Sequence, residues 1–132
     1  MNDAPPDEPG AQVWLDRGGR RYAPGEELTG GYRVGDWRDE PLTAVELSIL
    51  WYTSGQGEED LYVHHFERRR EPSMPSRAEE TPYEFAVRLP ESPLSYDGVI
   101  VKVCWAVRVR GCFRSGRTRL VELPFWLSNH HA

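Results

Sequence analysis

Residues 99–110, VIVKVCWAVRVR, alternate without a break. Val99, Val101, Val103, Trp105, Val107 and Val109 fall on one side, while Ile100, Lys102, Cys104, Ala106, Arg108 and Arg110 fall on the other. A period of two marks a pleated strand, whose successive side chains point to opposite faces. The β-branched run suits a half-buried pleated surface. Ahead of it, LPESP at 89–93 is a proline-punctuated crossing and SYDG at 95–98 a turn. The stretch predicts a strand ending near Leu89, a crossing, and a long central strand from Val99. Tyr96, just before that strand, is expected to tuck beneath the crossing and donate its hydroxyl to backbone near residues 89–94, as a tyrosine corner does.

The following hairpin can be registered on paper. A three-residue loop, Arg114-Ser115-Gly116, with Gly116 left-handed sets Phe113 opposite Arg117. Val109 then meets Val121, Val107 meets Leu123, Trp105 meets Phe125, and Arg108 meets Glu122 as a cross-strand ion pair. A two-residue loop would set Val109 against Glu122 and Val107 against Pro124, so the three-residue loop is preferred.

Upstream, Val13-Trp14-Leu15 is a short strand broken by Gly18-Gly19, and Pro24-Gly25 centres a second turn. Leu28 to Val34 is a strand in which Gly30-Gly31 signals a bulge or a close backbone approach. Val45, Leu47, Ile49 and Trp51 alternate with Glu46, Ser48, Leu50 and Tyr52; Trp51 and Trp105 are both expected in the core. Leu61 to Arg68 reads as a strand with Leu61, Val63 and His65 on one face, and residues 69–81 as a long loop. About seven strands at short spacing, without a helical pattern, predict an all-β antiparallel sandwich over residues 11–127, flanked by an acidic, proline-rich tail at 1–10 and a frayed end at 128–132.

Three parts of this order are similar together to a known family. They are Trp14-Leu15-Asp16-Arg17 leading to Tyr22-Ala23-Pro24-Gly25-Glu26 and Leu28-Thr29-Gly30, the Val45–Trp51 strand, and Leu89-Pro90 through Ser95-Tyr96-Asp97-Gly98. The chain resembles the immunoglobulin-like N-terminal sandwich of the arrestin family over about residues 11–127. The resemblance implies a scaffold or adaptor that binds protein partners and carries out no chemistry. Family members usually pair two sandwiches, whereas this length suits one, so no phosphate-sensing residue is carried over.

Composition narrows the function. The chain has 132 residues and a net charge of −5, which does not favour nucleic acid as a partner. No stretch reaches the roughly 18 apolar residues of a membrane span, and the acidic N-terminus is unlike a secretory signal. Cys104 and Cys112 are too far apart along one strand to bond, so both are expected reduced and the protein cytoplasmic. His64-His65 and His130-His131 lack further ligands at metal spacing, and Gly55-Gln56-Gly57 lacks the third glycine of a dinucleotide site. Neither metal nor cofactor is expected, and no catalytic motif is present.

The candidate site is basic. From residue 98 to 127, Lys102, Arg108, Arg110, Arg114, Arg117 and Arg119 face one acid, Glu122. Lys102, Arg110, Arg114, Arg117 and Arg119 are read as a strip that receives an acidic or extended peptide along an edge strand, with Arg108 held by Glu122. A solvated hairpin whose arginines pair with neighbouring acids is the plainer reading. Arg68-Arg69-Arg70 is ringed by glutamates and reads as self-neutralised. Five tryptophans allow a rival, a sugar-stacking platform of Trp14, Trp37 and Trp126. A third reading is a structural subunit that joins a larger assembly, or its own copies, through an edge strand.

Overall fold

The computed structural model describes residues 7–8, 10–35, 41–57, 59–70 and 82–129. Ten strands lie among them: β1 (Asp7–Glu8), β2 (Ala11–Leu15), β3 (Arg21–Tyr22), β4 (Glu27–Val34), β5 (Leu42–Gly55), β6 (Leu61–Arg70), β7 (Tyr83–Arg88), β8 (Tyr96–Asp97), β9 (Val101–Phe113) and β10 (Thr118–Leu127). Three have two residues each, which leaves the seven longer strands that the alternation predicts. Ordered pairing begins at Asp7–Glu8 against β2, four residues before the expected start at Ala11. The predicted 69–81 loop is taken by β6 as far as Arg70, and residues 71–81 lie outside the described residues, as do 36–40 with Trp37.

One sheet runs β1-β2-β4-β7 and the other β3-β10-β9-β5-β6, with β8 on the start of β9. Pairing is antiparallel except between β3 and β10, which are parallel. The inner row of the larger sheet supplies Val45, Leu47, Ile49, Trp105, Val107, Val109, Val121, Leu123 and Phe125, all buried, against Val13, Leu28, Tyr32, Phe85 and Val87 of the other. Period-two patterning in both sheets thus makes one shared core.

The β9–β10 hairpin has the predicted register, with Val109 opposite Val121, Val107 opposite Leu123 and Trp105 opposite Phe125. Phe113 N donates to Arg117 O at 3.0 Å, and Gly116 takes φ +95° in the loop. Glycines 30 and 31 mark a close approach and no bulge, because the β2–β4 register is continuous. A Cβ on Gly31 would come within 2.5 Å of the Trp14 ring.

Two of the three segments quoted for the family likeness meet in space. Pro24-Gly25 forms a turn closed by Glu26 N to Ala23 O at 3.1 Å, with Gly25 at φ +82°, a left-handed position suited to glycine. Gly25 N donates to Leu89 O at 3.0 Å, and Leu89 N donates to Glu26 O at 2.9 Å. The Glu26 carboxylate accepts from Ala23 N at 2.6 Å and pairs with Arg17 at 2.9 Å. The turn is therefore clamped to the crossing by backbone and side chain together.

Two expectations fail at that crossing. Tyr96 is 56% exposed, and Ser95 holds the buried position instead. Ser95 N donates to Leu127 O, and Leu127 N donates to Ser95 Oγ, both at 2.8 Å. Trp105 Nε1 donates to Pro93 O at 2.8 Å, which supplies the anchor assigned to the tyrosine. The central strand also starts at Val101, and Val99 is fully exposed in the preceding bend. The alternation runs two residues past the ladder, and both Val99 and Ile100 are exposed there. Trp51 is only half-buried, packed on the core margin and stacked on Tyr62 at 4.3 Å.

Candidate functional site

The basic strip is dispersed. Strand β9 is flanked by β5 and by β10 or β8 along its length, so it offers no edge. Lys102 and Arg110 lie eight residues apart on β9, roughly 26 Å at strand rise, and Lys102 sits 3.5 Å from Asp97. Arg114 and Arg117 are exposed about the hairpin loop, while the Arg119 guanidinium lies against Gly10. Arg108 pairs with Glu122 at 2.8 Å, as the register requires. The five residues read as one strip are spread along the hairpin, whose β9 is interior to its sheet while β10 is paired on its far side only at Trp126 and Leu127.

The described edge of the larger sheet on the β5 side is β6. Its pairing with β5 carries an irregularity between Ile49 and Leu50. Val63 stands opposite Leu50 and His65 opposite Ile49, so His64 is an extra residue on β6. The insertion resets which side chains face out. Leu61, Val63, Phe66, Arg68 and Arg70 share the outer face with Tyr52, Leu50, Ser48, Glu46 and Ala44, while Tyr62, His65, Glu67 and Arg69 stand over the core row of Trp51, Ile49, Leu47 and Val45. The expected grouping of His65 with Leu61 and Val63 is thereby corrected. His64 also turns inward, its Nε2 2.9 Å from Arg88 O and its ring edge-on to Trp105.

On the outer face of β6, Leu61, Val63 and Phe66 are each about half exposed, as is Tyr62 on the inner side. Leu61, Val63 and Phe66 line a groove of about 180 Å³ over buried Leu50, with Arg108 and Arg110 on its far side. Arg68 pairs with Glu46 near one end. Half-exposed apolar side chains in a row on a ten-residue edge strand are unusual, because such an edge invites further pairing.

The inner side of β6 is fixed to the opposite sheet. The Tyr32 hydroxyl lies 3.4 Å from both Glu67 Oε1 and Arg69 Nε, and the Arg69 guanidinium stacks over Tyr83 at 4.5 Å. Burial pushes the Tyr32 hydroxyl above its ordinary value, partly offset by Arg69. His65 Nε2 meets Glu67 Oε2 at 3.0 Å. This network ties the strand to the opposite sheet, while Leu61, Val63 and Phe66 on its outer face stay half exposed. Its arginines have definite partners, so the reading of Arg68-Arg69-Arg70 as locally neutralised fits for Arg68 and Arg69.

The remaining candidates separate. Trp14 lies on β2 beside Arg33, and Trp126 lies on β10 in the other sheet, beside a depression of about 520 Å³ bordered by Gly18, Gly19, Arg20 and Arg21. Cys104 and Cys112 are free thiols on β9, and burial pushes the Cys112 thiol up. Among the described residues no group of three or more His, Cys, Asp or Glu is arranged for a metal ion, and no helix is long and apolar enough to cross a membrane.

No family model and no curated protein matches the chain. Solved structures do. Spo0M, the sporulation control protein of Bacillus subtilis, superposes with a TM-score of 0.62 at 16% identity, covering 91% of this chain and 49% of its own. The chain thus spans about half the length of Spo0M. The superoxide reductase (neelaredoxin) of Ignicoccus hospitalis gives a TM-score of 0.55 at 7% identity over 89% of this chain and 80% of its own. The fold is what is shared. It is an antiparallel, immunoglobulin-like β-sandwich of the arrestin type, as in Spo0M.

Proposed function

We propose that the chain is a non-catalytic protein-interaction module that takes an extended polypeptide segment along the outer edge of β6. The observation that carries this reading is the row Leu61, Val63 and Phe66, half exposed beside the groove over Leu50 on a strand whose inner side is already fixed. An added strand would gain main-chain hydrogen bonds along the edge, while alternate side chains of the ligand would reach the groove. Arg108 and Arg110 beyond the groove favour an acidic residue among them. The docking edge differs from the hairpin strip inferred from charge, and of that strip only Arg110 borders it.

The reading is tested by panning a random peptide library on dilute protein, in parallel with Val63→Lys and Phe66→Lys. Enriched peptides should carry apolar residues at alternate positions and lose at least about tenfold in affinity on both variants, since each buries a lysine against the ligand. Equal binding by both variants would contradict it.

A further inference from the structure

We infer that the strand taken by this edge is β6 of a second copy, paired antiparallel about a twofold axis between His64 and His65. The inference rests on the edge reading above and adds the identity of the partner. In a continuous antiparallel sheet, residues directly opposite one another must lie on the same face. The face pattern of β6 along the chain is out at Leu61, in at Tyr62, out at Val63, in at His64 and His65, out at Phe66, in at Glu67 and out at Arg68. That pattern reads the same from both ends, and the extra residue at His64 makes it so. With the axis between His64 and His65, Val63 faces Phe66 of the second copy, Tyr62 faces Glu67, and Leu61 faces Arg68. Moving the axis by half a residue sets Leu61 against Arg69 and mismatches the faces.

The charges agree with the same register. Glu59 and Asp60 precede the strand, and Arg69 and Arg70 end it. In the antiparallel pair Asp60 lies across from Arg69 and Glu59 across from Arg70 of the other copy, so acid meets base at both ends. The Val63 and Phe66 pairs join the two apolar outer rows into one patch across the axis. An isologous contact of this kind closes on itself and leaves no further β6 edge for a third copy.

Sedimentation equilibrium of the whole chain should show a mass rising with concentration from 15.2 kDa towards twice that value. The register is read by cross-linking in a Cys104→Ser, Cys112→Ser background. A Val63→Cys protein mixed with a Phe66→Cys protein should form a mixed disulfide dimer on mild oxidation. Neither alone should, because like residues are offset by about three positions, roughly 10 Å, beyond disulfide reach. Both sites are half exposed, so the fold should tolerate them. Glu59→Lys with Asp60→Lys should shift the equilibrium towards monomer, most strongly at low salt. A single 15.2 kDa species at the highest soluble concentration, or a dimer that forms no 63–66 disulfide, would overturn the inference. A monomer that still takes peptides at β6 loses only the self-pairing; one that takes none loses both readings.

Discussion

Strands β10 and β6 flank the same central pair, β9 and β5, from opposite sides, yet they do opposite things. The β9–β10 ladder runs in one unbroken register, buries Val121, Leu123 and Phe125, and satisfies its outer face with Arg108–Glu122. The β5–β6 ladder takes one extra residue at His64, and three of its apolar side chains face away from the core. One inserted residue is enough to move a side chain from the core face to solvent. The side of the sheet that looks plain holds it together, and the irregular side is where it is open.

The largest test of this contrast sets core against edge. Trp105→Ala removes a fully buried indole and its bond to Pro93 O, and should cost roughly 3–5 kcal/mol in urea denaturation. Val63→Ala on the open face should cost below about 1 kcal/mol. Equal losses would mean that β6 is a core strand.

Gly31→Ala tests the close approach of β2 and β4, where a methyl would press on the Trp14 ring. We expect a loss of roughly 1–3 kcal/mol, read from the melting temperature, since the ring must shift in a packed layer. At the crossing, Ser95→Ala leaves Leu127 N unpaired and should cost about 1–3 kcal/mol, whereas Tyr96→Phe should stay within about 0.5 kcal/mol. The reverse order in denaturation midpoints would restore the tyrosine anchor. The Arg108–Glu122 pair is also a small effect, for which a double-mutant cycle should give a coupling of about 0.2–1 kcal/mol, weakened by salt.

Much of the fold was legible because its strongest signal, alternation, survives wherever a strand is covered on one face. Phe113–Arg117 and Trp105–Phe125 followed from loop length and matching apolar residues, without any long-range information. The insertion at His64 was not legible. Two adjacent histidines carry no apolar signal, so nothing local marks which one leaves the ladder. The β6 edge was hidden for a related reason. Charge density pointed to residues 102–119, but whether a strand is an edge is set by sheet order, which one strand's sequence does not encode. Ser95 was missed because a buried serine and a solvated one look alike; only its place opposite Leu127 distinguishes it.

The claim that β6 pairs with β6 of a second copy is tested most directly by amide hydrogen exchange, residue by residue, at low and high protein concentration. The account predicts that protection rises with concentration within Leu61–Arg70 and stays level in Thr118–Leu127. Protection that rises in β10 and leaves β6 unchanged would contradict it.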